Sequence, residues 1–297
     1  MNIVLSTFIL PHEIDDLEQV LLQLKKSSLL LDSKIDFSID VAMTIADDMI
    51  DWKKSSLPKG YFLDRLLKLS FQTDWCSKTF NASETIKGCI SHKRDVLSRY
   101  EDADYFIWLD SDIVFDERTL AYMITSLNTL LEYDYTIVTP EIVKLWDTTW
   151  DCLVNEQFID KPLNYHLTND PYKDSGVKGD VSLESVSNNV PEQPSYKFAG
   201  GWFTAISAKL LNRIGIPESF GHYGPADDTF IMWASEKISK LDNNQVRQFK
   251  LKNLVVCENY KYRNQGHYIN YMSIFNRKDE FKKIATSNLI EEFNKLT

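Results

Sequence analysis

The chain has little of what marks a secreted, membrane-spanning or nucleic-acid-binding protein. Of its 297 residues four are cysteine, Cys76, Cys89, Cys152 and Cys257, and no two form a CxxC pair. Thiols so scattered build neither a zinc site nor a disulfide framework. They suit a reducing compartment, and the expected location is cytoplasmic. No apolar run reaches the ~18 residues that a membrane span needs. The opening MNIVLSTFILPHEIDD lacks the positive flank of a signal peptide and reads as a first strand. Positive charge is short as well. There are 33 Lys and Arg against 43 Asp and Glu, a formal net charge of -10. An acidic surface argues against general binding to nucleic acid or anionic membranes, while leaving room for a local basic pocket. No internal repeat is evident, and no linker divides the chain.

What is present is a core. Hydrophobic residues make up 43% and aromatics 12%, enough to exclude disorder over the whole length. Residues 2–10 form a short apolar run ended by Pro11, a buried strand. Ile14, Leu17, Val20, Leu21 and Leu24 then recur at helical spacing, with acidic residues early and basic ones late, as the helix dipole favours. IDFSIDVAMTIADD predicts a second strand ending in Asp47 and Asp48. A turn at Gly88 precedes a helix, DYFIWLD a strand, ERTLAYMITSLNTLLEY a helix and YTIVTPEIV another strand. Further on, YKFAGGWFTAIS reads as a strand, AKLLNRIG as a short helix ending in glycine and PADDTFIMWASEKIS as a helix. QFKLKNLVVCENY reads as one or two late strands, and the tail from about 276 as a helix. Residues 51–85 give no clear pattern. The stretch 160–197 is rich in Asp, Asn, Ser, Pro and Lys and predicts a polar flap that orders over a ligand. Strands alternating with helices imply a mainly parallel sheet, whose ligands sit at the carboxyl ends of the strands.

That edge is where YFIWLDSD ends. Strand alternation puts Asp110 and Asp112 on one side and turns Ser111 away. Two close carboxylates repel, and a hard divalent cation relieves the repulsion. Mg2+ and Mn2+ combine one or two carboxylates with substrate phosphates. The competing interpretation is a solvated turn in which Asp112 caps the next element.

The segment GCISHKRDVLSRYEDADYFIWLDSD resembles the donor-binding core of GT-A glycosyltransferases, with Ser91 and Arg94-Asp95 at the matching distance before Asp110. Asp95 stands where that family usually has asparagine. A second block, FAGGWFTAISAKLLNRIGIPESFGHYGPADDTFIMWA, is similar to the family's acceptor side, with Asp227-Asp228 in place of the usual Glu-Asp pair. The resemblance covers roughly residues 1–235. It implies an α/β GT-A fold, a Rossmann-like, mainly parallel sheet flanked by helices. One domain would span 1–297, with a donor half to about 115, an acceptor half to about 235 and a C-terminal extension beyond.

The implied activity is transfer of a sugar from a UDP- or GDP-sugar to a hydroxyl of a glycan or other acceptor, with Mn2+ or Mg2+ as cofactor. Asp110 and Asp112 would hold the metal, the second more directly, with His267 a candidate third ligand. Thr7, Phe8, Asp47, Asp48, Ser91, Arg94, Asp110 and Ser111 would line the donor pocket, with His92 and Lys93 beside Arg94. Gly200, Gly201, Trp202 and His222 would meet the acceptor, and Asp228 or Asp227 would serve as general base in an inverting reaction. Both aspartates also have a bland role as helix caps. A retaining transferase, a nucleotidyltransferase and a non-catalytic sugar-binding protein are the alternatives. Against the second, STFILPHEIDD offers no glycine-rich basic phosphate loop after the first strand.

Overall fold

A computed structural model describes residues 1–31, 35–143, 170–186, 201, 203–223, 226–259 and 278–297. The chain opens with β1 (Asn2–Ile9), α1 (Ile14–Ser28) and β2 (Asp36–Thr44). α2 (Lys59–Gln72), β3 (Ser77–Ser83), α3 (Cys89–Arg99), β4 (Tyr105–Leu109) and the two-residue β5 (Ile113–Val114) follow. Then come α4 (Thr119–Asn128), β6 (Thr136–Val143), α5 (Pro171–Asp174) and β7 (Gly176–Ser185). The last are β8 (Phe203–Ser207), α6 (Ala208–Ile214), α7 (Ala226–Leu241), β9 (Arg247–Glu258) and α8 (Lys278–Lys295).

The described strands form one nine-stranded sheet in the order β3-β2-β1-β4-β8-β6-β9-β5, with β7 also paired to β9. β1, β2, β3 and β4 run parallel, so their carboxyl ends lie on one edge. β8 is antiparallel to both β4 and β6. The central strands are buried throughout: every residue of β4 and of β8 is inside. This is the continuous apolar pattern of strands covered on both faces. α1 buries the expected stripe of Ile14, Leu17, Val20, Leu21 and Leu24. α6 ends at Gly215, whose φ of 75° lies in the left-handed region that favours glycine. α8 closes on the far side, where Trp233 of α7 meets Phe293 edge to face at 6.2 Å. Among the described residues, no helix is long and apolar enough to cross a membrane.

Two regions differ from the sequence pattern. Residues 51–85 hold α2, which buries only Phe62, Leu66 and Leu69, and β3, an edge strand held to β2 by main-chain pairing. In the polar stretch, residues 170–186 form α5 and β7 rather than open flap, because β7 pairs antiparallel with β9 and sets Val177, Val181 and Leu183 against the core. Main-chain hydrogen bonds do there what side-chain periodicity does elsewhere. The remainder of 160–197 lies outside the described residues.

Candidate functional site

The parallel edge gathers the first group of predicted residues. Thr7 and Phe8 close β1, and Asp47 and Asp48 sit on an exposed turn beyond β2. Thr7 is buried. The half-buried Phe8 ring meets Tyr223 edge to face at 5.7 Å and lies 6.4 Å from His92. Leu10, Ala46, Met49, Ile50 and Tyr223 make a small apolar cluster at this edge, and Phe8 packs against it. Burial pushes the Tyr223 phenol pKa well above its ordinary value. On the rim, Lys59 Nζ stands 3.4 Å from Asp47 Oδ1.

β4 delivers the second group. Its buried YFIWL ends at Leu109, and Asp110 and Asp112 follow half-buried while Ser111 is only 3% exposed. The alternation read from the sequence is therefore kept, with Ser111 turned inward. β5 pairs with the end of β9, and Asn259 N–H donates to the Asp112 carbonyl, which fixes the turn. Among the described residues, no group of three or more His, Cys, Asp or Glu is placed to hold a metal by itself. Two half-buried carboxylates are a hard-oxygen pair, the donor set with which Mg2+ or Mn2+ is held jointly with phosphate oxygens. His267 lies outside the described residues.

α3 brings four consecutive side chains into four different environments, as steps of about 100° per residue require. Ser91 is buried, and its hydroxyl accepts from Gly88 N–H at 3.0 Å and lies 3.2 Å from the Gly88 carbonyl it donates to. His92 is 1% exposed, with Nε2 3.6 Å from Asp40 Oδ1. Burial lowers its pKa to about 4, against the opposing pull of Asp40, so the ring is neutral at pH 7. Its predicted reach toward a diphosphate is corrected by this burial in the core. Arg94 donates from Nε to the Ile216 carbonyl at 2.9 Å and from Nη2 to the Pro217 carbonyl at 2.6 Å. The predicted donor contact thus has a present competitor: the guanidinium fastens α3 to the turn that precedes α7. Asp95 pairs with Lys87.

Lys93 takes the fourth direction. Its Nζ lies 4.0 Å from the centroid of the Trp108 ring and 3.1 Å from Asp228 Oδ1. The second oxygen of Asp228 accepts from Gly201 N–H at 3.0 Å. A Cβ on Gly201 would lie 3.0 Å from Lys93 Nζ, so glycine leaves room for the ammonium. Asp228 belongs to the first turn of α7, yet these two bonds go to α3 and to the end of the loop before β8 rather than to its own helix. Trp108 precedes Asp110 by two residues, on the same side of the strand by alternation. Asp228 is thereby tied to the strand that ends in the Asp110–Asp112 turn.

The N-terminus of α3 also abuts His222 and Tyr223. Ile90 N–H donates to the His222 carbonyl at 3.1 Å. A Cβ on Gly88 would lie 2.2 Å from that carbonyl oxygen and 2.5 Å from the Tyr223 ring, so only glycine permits the approach. His222 itself is half-buried. Gly200 and Trp202 lie outside the described residues, as does the side chain of Asp227. Sequence reasoning missed Trp108 and Tyr223. Trp108 could have been found from its parity with Asp110, whereas Tyr223 carried no such signal.

No protein-family model matches the chain, and a search of curated proteins finds no match. Solved structures do match. One is the mannosyltransferase PcManGT from Pyrobaculum calidifontis in complex with GDP-Man and Mn2+, 13% identical, over 97% of this chain and 68% of that one, with a TM-score of 0.50. The fold is GT-A. A mycobacterial protein matches at 13% identity over 99% of this chain and 75% of its own, also with a TM-score of 0.50. S. aureus TarS residues 1-349 match at 11% identity over 98% and 71%, with a TM-score of 0.46. At identities this low, the two matches with a TM-score of 0.50 carry the architecture alone. Within it, the parallel β1-β2-β3-β4 block forms one edge, and antiparallel β8 leads toward α7 and Asp228.

Proposed function

We propose that the chain is a metal-dependent glycosyltransferase that moves a sugar from a UDP- or GDP-sugar to a hydroxyl of a glycan or other acceptor, with inversion at the anomeric carbon. One juxtaposition carries this reading: on a GT-A fold, Lys93 links the Asp228 carboxylate to Trp108, two residues before Asp110 on β4. Asp228 is thereby tied to the strand that leads into Asp110 and Asp112.

Asp112, with Asp110, would hold Mn2+ or Mg2+, which supplies charge stabilisation to the leaving diphosphate. PcManGT is described with GDP-Man and Mn2+, in keeping with such a donor and metal. Thr7, Asp47 and Asp48 would border the nucleotide, with Phe8 as the packed wall behind it. Asp228 takes the proton from the attacking hydroxyl as general base. Lys93 and Gly201 N–H fix the orientation of its carboxylate, so that little reorganisation is needed on reaction. His222 would border the acceptor, and Gly201, by lacking a side chain, leaves space beside the carboxylate. Gly200, Trp202 and Asp227 complete the acceptor side of the proposal. His267 is the proposed third metal ligand.

The test is a thermal-shift panel of nucleotide sugars with and without Mn2+. A true donor at about 100 times its Kd adds about 2.7 kcal/mol, a rise in Tm of about 5–10 °C. That rise is expected for one class of nucleotide sugar and only with the metal. A panel that leaves Tm unmoved in both arms would overturn the proposal.

A further inference from the structure

Behind the Asp110–Asp112 turn lies a cavity of about 290 Å3, between α1, β5 and α5. Of that turn, Ser111 alone lines it; expected in the donor pocket, it is directed by alternation away from the two carboxylates and into this cavity. One face of α1 supplies Asp16, Gln19, Val20 and Gln23, at helical spacing of three, four and seven. Asn259 closes one side, and Tyr172 stands at the rim, 67% exposed.

The chemistry of this lining is specific. Asp16 is 4% exposed although it sits in the first turn of a surface helix, and it accepts from Asn259 Nδ2 at 3.3 Å. A carboxylate buried beside a cavity is costly unless hydrogen-bond donors meet it. Three amides, those of Gln19, Gln23 and Asn259, each offer both a donor and an acceptor. Ser111 and Ser175 add hydroxyls, and Val20, Ile113, Val114 and Phe115 add an apolar wall. The lining also carries Asp116, which is paired with Arg118, and among the described lining residues there is no Lys, Arg or His. Phosphate, nucleotide and carboxylate ligands, which need positive partners, are disfavoured there. A cation would suit Asp16 and Asp116, but Arg118 already neutralises Asp116, and three amides, two hydroxyls and an apolar wall suit a neutral polyol better. The favoured complement is a neutral molecule dense in hydroxyls with one apolar face. The volume lies at the low end for ligand pockets and holds about one pyranose ring.

We infer that this cavity is a binding site for one neutral sugar residue, separate from the donor pocket and backed onto the same turn. Asp16 and the amides take the hydroxyls, and Tyr172 packs its ring against the apolar face of the sugar. The binding claim stands on the cavity alone. Its purpose, holding a sugar of the glycan that carries the acceptor hydroxyl, rests on the proposed transferase activity.

The experiment is titration of the full chain with methyl glycosides of glucose, galactose, mannose and N-acetylglucosamine. It is followed by NMR of the protein, with inorganic phosphate and Mn2+ as parallel probes. Saturable binding of at least one glycoside is expected, with Tyr172→Ala and Gln23→Ala each weakening it by ~10-fold or more. Tyr172 is exposed and Gln23 half-buried, so both variants should fold, which their unfolding curves check. Asp112→Asn, which alters the donor side, should leave glycoside binding within about twofold. Absence of saturable binding by every glycoside overturns the inference, as does binding that both cavity variants leave intact. Preferential binding of phosphate or Mn2+ at these residues would also overturn it. If glycosides bind while no nucleotide sugar does, the transferase reading fails and this site remains.

Discussion

Replacing Lys93 with methionine tests how Asp228 is held. Methionine keeps an apolar stem over Trp108 and removes the charge. At 3.1 Å the Nζ–Oδ1 attraction is about 5 kcal/mol gross at an effective dielectric of ~20. The two side chains are 12% and 21% exposed, so desolvation offsets much of this without the screening met at an open surface. The coupling between Lys93→Met and Asp228→Asn should therefore be about 2–3 kcal/mol. Urea unfolding of the parent, both single variants and the double variant measures it. Lys93→Met alone should lower stability more than Asp228→Asn does, since it leaves a half-buried carboxylate with one fewer cationic partner. A coupling below about 0.5 kcal/mol would mean that the pair behaves as a surface ion pair, and the claim that Lys93 orients Asp228 would fall.

Three other outcomes follow from particular contacts. Gly88→Ala puts a Cβ 2.2 Å from the His222 carbonyl oxygen, where the Ile90 bond is also at stake, and should cost about 2–4 kcal/mol. A thermal melt lowered by under about 2 °C would show that the two segments part easily. His92 has a folded pKa lowered from 6.5 to about 4, so the unfolded chain binds more protons between those values, and stability should fall by about 3 kcal/mol as pH drops through that window. His92→Phe should remove that part of the acid sensitivity, and an unchanged pH–stability curve would refute the assignment. Asp228→Asn should keep donor binding and lower turnover by about 10² to 10⁴, while Asp227→Asn has the smaller effect. If both leave transfer within about a few-fold of the parent, the base lies elsewhere or the reaction retains configuration.

Elements that bury a face could be read directly from the sequence. β1, β2, β4 and β8 are apolar runs because both faces are covered, and α1 shows its stripe because the other face is wet. β3 and β7 were illegible for the opposite reason: they are edge strands, ordered by main-chain bonds that leave no mark in side-chain pattern. The Asp110–Asp112 turn was legible because alternation acts locally. The Lys93–Asp228 pair was not, since 135 residues separate its members and only the packing of α3 against the turn before α7 brings them together. Ser91 and Arg94 show the limit of motif spacing. Both lie on the helix the sequence predicts, but Ser91 bonds within the first turn of α3, and Arg94 takes the carbonyls of Ile216 and Pro217.

In the proposed reaction, a divalent ion held at Asp110 and Asp112 joins the chain to a nucleotide diphosphate. Calorimetric titration of UDP and GDP into the parent and into Asp112→Ala, each with Mn2+ and with EDTA, addresses it most directly. Saturable binding of one nucleotide to the parent with Mn2+ is expected, weakened at least ~100-fold, about 2.7 kcal/mol, both by EDTA and by Asp112→Ala. Equal Mn2+-dependent affinity in Asp112→Ala and the parent would contradict it.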